Sequence, residues 1–289
     1  MTDDALLALE PAAIRRLLPS WLAATVTEVG DEVERVVAEV VAASDDTDLA
    51  RAFAALQCLG EEFRLYEADP FARRVSRAYM GPLLRPGSDI DGVDHVVGAA
   101  QSGPVLLVGN HRSYVDTQLT DALLARVRPD LADRLVTVAG PKVYATTFRR
   151  FASLGLTTLK TAQSTRLATN DAGLSAREVA RIALNTVRQA HRCMQAGRPV
   201  LLYPEGTRSR TGRLGPFLRA AERYARLDGL QVVPVALTGS EQVFPIDAEQ
   251  LGPAVVHLRF GRPLRVDAIE RGGVLAAART ELAELLGEG

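Results

Sequence analysis

The chain has 289 residues, 47% of them apolar and 24% charged, with a formal net charge of -1 at pH 7. That length suits one large domain or a main domain with an appendage, and the composition is that of an ordinary globular protein. A near-neutral balance excludes a general electrostatic pull toward nucleic acid, so any anion-binding surface must be local.

From Asp3 to about residue 84 apolar residues recur at helical spacing. Val33, Val36, Val37, Val40 and Val41 form one stripe, and Leu49, Phe53, Leu56 and Phe63 form another. Pro19, Gly30, the Asp45-Asp46 pair and Pro70 punctuate this region, and Pro82, Pro86 and Gly87 mark its exit. The pattern predicts an all-helical N-terminal domain over 1–88, acting either as a cap on the rest of the chain or as a docking face.

Beyond residue 88 short apolar runs alternate with helical stretches. This is the rhythm of an α/β domain over 89–289, with a central, largely parallel sheet flanked by helices. Strands are expected at 105–108, 135–138, 156–159, 200–203, 232–236 and 255–260. Helices are expected at 115–125, at 175–197 and at 274–286. The second of these opens on Ser175-Ala176-Arg177-Glu178, a capping box, and closes on Gly197. The longest uncharged stretches, 96–110 and 229–240, are broken by Gly, Pro or polar residues and are too short to span a bilayer. Cys58 and Cys193 lack metal-ligand spacing, and the N-terminus does not read as a secretory signal, so a reduced, cytoplasmic setting is expected. His95, His191 and His257 have no evident partner and read as structural or surface residues.

Two stretches carry candidate chemistry, each just past an expected strand. After 105–108 comes Gly109-Asn110-His111-Arg112-Ser113-Tyr114-Val115-Asp116. The carboxyl edge of a sheet strand is where open α/β folds bind ligands, and Asp116 falls in the first turn of the next helix, where a carboxylate is favoured. Folded back, Asp116 would fix the His111 tautomer and leave the other ring nitrogen to accept a proton; on the residues alone, a surface histidine beside an N-terminal helix acid is the competing reading. After 200–203 come Pro204-Glu205-Gly206-Thr207-Arg208-Ser209 and the further arginines Arg210, Arg213 and Arg219. Guanidinium forks match phosphate oxygens, and Gly206 lets backbone N–H groups come close, so the loop suits a phosphate monoester; a solvated basic loop is the alternative.

In order and spacing, Asn110 to Asp116 and Tyr203 to Ser209 resemble the first and third blocks of the glycerolipid acyltransferase superfamily, which includes glycerol-3-phosphate and lysophosphatidate acyltransferases. Tyr203 stands where the family usually has Phe. Between the blocks, Lys142, Phe148, Gly155 and Lys160 fit a further family block, with Lys160 replacing the usual arginine and Arg149 or Arg150 available to substitute for it. Val233-Pro234-Val235-Ala236 fits a fourth block; the proline should sit at a strand end or edge. The similarity covers about 100–240. It implies that His111 and Asp116 are catalytic, that Glu205, Gly206, Thr207, Arg208, Lys142 and Lys160 bind substrate, and that Val233 and Pro234 contact the acyl donor. On the residues alone both lysines could equally be solvated surface groups and 233–236 a plain core strand.

The resulting expectation is an O-acyltransferase of phospholipid biosynthesis. It would move a fatty acyl group from acyl-CoA or acyl carrier protein to a hydroxyl of glycerol 3-phosphate or lysophosphatidate. His111 would act as general base and Asp116 would stabilise the imidazolium, with no covalent intermediate, metal or cofactor. The continuation Arg208 to Arg213 and the His-Arg-Ser-Tyr start lean toward the glycerol-3-phosphate or dihydroxyacetone-phosphate branch. The absence of a Gly-x-Ser-x-Gly elbow argues against an acyl-enzyme of the α/β-hydrolase kind. Backbone N–H groups near His111 or Gly206 are the oxyanion candidates, and the N-terminal helices could dock an acyl carrier or lie on a membrane surface as a peripheral contact. Two other functions remain open: transfer to water or to a non-glycerolipid alcohol, and a non-enzymatic acyl-carrier or phospholipid-surface binding module.

Overall fold

A computed structural model describes residues 10–162, 173–269 and 273–288. The stretch of the expected helical region before residue 10 therefore lies outside the described residues. The sheet runs in the order β1-β5-β4-β6-β3-β7-β8-β2, with β9 also paired to β7. Its strands are β1 (Leu65–Tyr66), β2 (Asp89–Asp91), β3 (Val105–Gly109), β4 (Val136–Ala139), β5 (Thr157–Lys160), β6 (Val200–Leu202), β7 (Gln231–Thr238), β8 (His257–Phe260) and β9 (Leu264–Arg265). The five central strands are mutually parallel, and antiparallel pairs bring in β1, β8 and β9. The expected largely parallel sheet flanked by helices is the architecture of the chain.

Side chains alternate across the sheet and sort the helices into two layers. From β3, Leu107 faces a core shared with the helices Val93–Ser102, Asp116–Val127 and Thr147–Leu154, whereas Leu106 and Val108 face one shared with Ala176–Gln195 and Val274–Leu285. Ala176–Gln195 begins with the expected capping box: the Ser175 hydroxyl accepts from Glu178 N–H while the Glu178 carboxylate accepts from Ser175 N–H.

The N-terminal helices pack onto the first of these layers. Val33, Val37, Val41, Leu49, Phe53 and Leu56 are buried in the same core cluster as Leu107 and Leu119, so the stripes are core rather than a free docking face. Trp21 meets Phe148 and Phe151 edge-on, with ring centroids 6.1 and 6.2 Å apart, and Phe53 adds a tilted contact to Phe151. Phe63 departs from its expected stripe: Asp46–Cys58 has already ended, and the chain turns to place β1 antiparallel to β5.

Pro234 is likewise not at a strand end. It lies inside β7, which pairs with β3 on one side and with β8 and then β9 on the other. Its carbonyl accepts from Gly261 N–H at 2.8 Å, in the gap between β8 and β9. A strand residue directs its N–H and C=O to the same side, so the donor that proline lacks falls where no ladder bond is called for.

A buried ion pair joins the N-terminal helices to the helix that carries Asp116. Asp121, 2% exposed, takes two hydrogen bonds from Arg77 of helix Pro70–Met80, at 2.8 and 3.0 Å. Asp121→Ala would leave a partly buried guanidinium with Asp133 as its remaining partner. The variant should lose about 3 kcal/mol of unfolding free energy in urea titrations; a loss below about 0.5 kcal/mol would mean the pair does not dock the helices.

Candidate active site

Register creates the site. Because β3 pairs in parallel with β6 (Leu106↔Val200 to Val108↔Leu202), the segments leaving both strands emerge side by side at the carboxyl edge. Asn110 anchors the first segment to the other neighbour: its side-chain amide donates to Leu237 O and its oxygen accepts from Leu237 N–H, each at 2.8 Å and buried. The second segment closes on His111 itself. His111 N–H donates to Glu205 Oε1 at 2.9 Å, and His111 O accepts from Ser209 N–H at 2.7 Å.

With its backbone held from both sides, His111 has its Nδ1 2.8 Å from Asp116 Oδ2. Asp116 is 1% exposed, and the same oxygen accepts from Arg112 N–H at 2.8 Å and Ser113 N–H at 3.0 Å. An imidazole that donates from Nδ1 to a carboxylate keeps its lone pair on Nε2, available to take a proton. Ser113 fixes the intervening turn by donating to Phe244 O at 3.0 Å. Tyr203 stacks on the imidazole at 4.6 Å and 20°, and its hydroxyl lies 3.1 Å from Thr117 Oγ1. Burial holds that phenol well above its ordinary pKa, so it remains a neutral platform.

Two cavities meet at His111. The larger, about 250 Å³, has Lys142, Gly206, Thr207, Arg208, Arg210 and Arg223 in its wall, along with apolar groups such as Val187 and Leu202. The smaller, about 100 Å³, lies under helix Thr147–Leu154 between Val115, Gln118, Thr137, Phe148 and Leu156. His111, Tyr114, Val138, Gly140, Val143 and Tyr203 line both. The structure thus brings His111, Lys142, Gly206, Thr207 and Arg208 together, with Asp116 behind the histidine. Gly206 has φ +69°, a left-handed conformation that favours glycine, and a Cβ there would come within 2.3 Å of Leu218 Cδ1 and push that side chain aside.

Other expected positions lie elsewhere. Lys160 is 8% exposed and directs its ammonium away from the cavities, to Gly60 O and over the rings of Phe63 and Tyr144, and burial lowers its pKa. Val233 is fully buried in the core, and neither it nor Pro234 is among the residues lining either cavity. Arg150 donates to the carbonyls of Leu56 and Gln57, and Arg112 is paired with Glu241 and Glu288. Of the backbone N–H groups near His111 and Gly206 suggested as oxyanion donors, those of His111, Arg112, Ser113 and Gly206 are engaged, donating to Glu205, Asp116, Asp116 and Tyr203 O. Roles for Asn110 in anchoring and Tyr203 in stacking were not foreseen, although both lie within the recognised blocks.

Glu205 serves as a strut. Its oxygens accept from His111 N–H and from Gly215 N–H at 2.8 Å, and it is 7% exposed. Burial raises its pKa, with the two N–H donors pulling the other way. An acid whose folded-state pKa is raised binds its proton more tightly in the folded protein than in the unfolded chain. Stability therefore falls as pH rises from the ordinary glutamate range through the raised value. Glutamine cannot ionise, and its NH₂ would face one of the two N–H donors. Melting temperatures measured from about pH 4 to about pH 7 should show the advantage of wild type over Glu205→Gln shrinking as pH rises. A constant difference across that range would contradict the raised pKa.

The family model described as Acyltransferase matches residues 93–238, half of the chain. A chloroplastic 1-acyl-sn-glycerol-3-phosphate acyltransferase of Brassica napus is 44% identical over 61 residues, covering 20% of this chain and 18% of that protein. The 1-acyl-sn-glycerol-3-phosphate acyltransferase of Cocos nucifera is 34% identical over 68 residues, covering 24% and 22%. The matched stretch thus spans about a fifth of the length of these relatives. Among solved structures, PlsC from Thermotoga maritima, a 1-acyl-sn-glycerophosphate (LPA) acyltransferase, aligns over 96% of each chain with 17% identity and a TM-score of 0.47. On the extent of the family match, spanning the strand and loop that carry His111 through to β7, this chain belongs to the Acyltransferase family.

Proposed function

We propose that the chain is an O-acyltransferase that moves a fatty acyl group from an acyl-CoA or acyl-carrier-protein thioester to the free hydroxyl of lysophosphatidate or glycerol 3-phosphate. The observation that carries this reading is His111, held 2.8 Å from a buried carboxylate at the junction of a basic cavity and a largely apolar one. The relatives, whose names specify 1-acyl-sn-glycerol-3-phosphate, favour lysophosphatidate as the first acceptor to test.

In this mechanism the acceptor phosphate lies against Arg208 and Lys142 in the larger cavity, and the acyl chain enters the smaller one between Val115, Phe148 and Leu156. Nε2 of His111 takes the hydroxyl proton as the oxygen attacks the thioester carbonyl. Asp116 stabilises the imidazolium that forms. Collapse of the tetrahedral intermediate breaks the carbon–sulfur bond, and the imidazolium returns its proton to the leaving thiolate. No described helix is long and apolar enough to cross a membrane, so contact with a lipid surface would be peripheral.

Free-thiol release and ester formation, followed together, test the reading. His111→Ala should cut kcat by about 10²- to 10⁴-fold with lysophosphatidate binding nearly unchanged, and Asp116→Asn should lose less. Arg208→Ala should raise the acceptor KM about tenfold to a hundredfold, the equivalent of one charge-assisted hydrogen bond of about 1.5 to 3 kcal/mol, with only partial rescue by lysine. Thiol release without an ester product would make the protein a thioesterase. Near-normal transfer by His111→Ala would remove the proposed base.

A further inference from the structure

Tyr114 stands where the two cavities join, lining the larger one with Arg208 and the smaller one with Arg149. Its ring carries both guanidiniums. The Arg208 Cζ lies 3.6 Å from the centroid and the Arg149 Cζ 4.1 Å. Several other guanidiniums are answered by carboxylates or carbonyls: Arg112 by Glu241 and Glu288, Arg77 by Asp121 and Asp133, Arg150 by Leu56 O and Gln57 O. Among the described residues neither Arg149 nor Arg208 has a carboxylate partner. Arg149 makes a 3.4 Å contact to Lys142 O, and Arg208 Nη1 is buried with no hydrogen-bond partner.

Two like charges gathered on one aromatic ring repel each other, and a buried guanidinium nitrogen without an acceptor is costly. An anion bound between them would relieve both conditions. Of the two lysines between the main motifs, Lys142 lines the larger cavity, but Lys160 supplies no charge there, because its ammonium is committed to Gly60 O and to the rings of Phe63 and Tyr144. Arg149 does reach the junction.

We propose that Tyr114 is a positioning residue that yokes Arg149 to Arg208, and that the two arginines form a two-armed grip for a phosphate monoester beside His111. This rests on the acyl-transfer reading and names Arg149 and Tyr114 as parts of its substrate site. The ring restricts the rotamers of two long side chains before the anion arrives, so less freedom is lost on binding.

The test compares wild type, Tyr114→Leu, Tyr114→Phe and Arg149→Ala. Lysophosphatidate or phosphate-free monoacylglycerol serves as acceptor, and acyl-CoA or a phosphate-free acyl N-acetylcysteamine thioester as donor. Tyr114→Leu and Arg149→Ala should raise the lysophosphatidate KM about tenfold while kcat changes less than about threefold, as expected for lost binding rather than lost chemistry. Tyr114→Phe, which keeps the ring, should restore most of the affinity. The KM for monoacylglycerol should not follow. A rise confined to acyl-CoA would show that the grip holds the donor's phosphates rather than the acceptor's. Unchanged KM values, or an equal fall in kcat on every substrate with Phe as damaging as Leu, would overturn the proposal. Calorimetric titration of the same proteins with inorganic phosphate needs no turnover and should show weaker binding in Tyr114→Leu and Arg149→Ala. If wild type transferred no acyl group but bound phosphate in this pattern, the reaction would be wrong and the grip right.

Discussion

The site depends on the way His111 is held by its backbone. Its N–H and its carbonyl are both bonded to the loop after β6, through Glu205 and Ser209, and Asp116 then fixes the ring from the helix that follows. A histidine on an otherwise unsupported loop would sample several rotamers; here the main chain is fastened before the side chain is considered, and Tyr203 supports the ring face. All of this requires β3 and β6 to be parallel neighbours in the observed register. A shift of either strand by one residue would turn its Leu107 or its Leu201 toward the opposite core and separate the two loops. The hydrophobic sorting of the sheet therefore positions the chemistry.

The N-terminal helices belong to that arrangement. Trp21 and Phe53 pack on Phe148 and Phe151, and Phe148 forms part of the smaller cavity beside His111. The Arg77–Asp121 pair grips the helix whose first residue is Asp116. Loosening these helices should disturb the floor of the cavity and the carboxylate behind the histidine, even though none of the helices supplies a catalytic group.

Much of this was legible in the sequence for a physical reason. The six expected strands all exist, with ends shifted by one or two residues: five are buried parallel strands, which read as apolar stretches bounded by Gly, Pro or polar residues, and β8 alternates buried with more exposed residues. The short strands β1, β2 and β9 were not legible: with two or three residues each at the margins of the sheet, they have too little length for alternation to show. The His111 and Asp116 pairing could be expected because five residues across a strand-to-helix turn is a local distance. Lys160 could not be placed in the same way. Its direction depends on Gly60, Phe63 and Tyr144, which lie far away or across a turn, and charge alone does not say which way a side chain points. Glu205 was recognisable as important, but its work as a strut between His111 and Gly215 requires three-dimensional contacts that spacing does not encode.

If Asp116 holds His111 ready to act as a base, the imidazole carries its proton on Nδ1 and its lone pair on Nε2. Nitrogen-15 NMR of the histidine rings, at a pH where His111 is neutral, tests this directly. In wild type the His111 signals should report a protonated Nδ1 and an unprotonated Nε2, and Asp116→Asn should mix the tautomers without unfolding the protein. A proton residing on Nε2, or a tautomer indifferent to the Asp116 substitution, would contradict it.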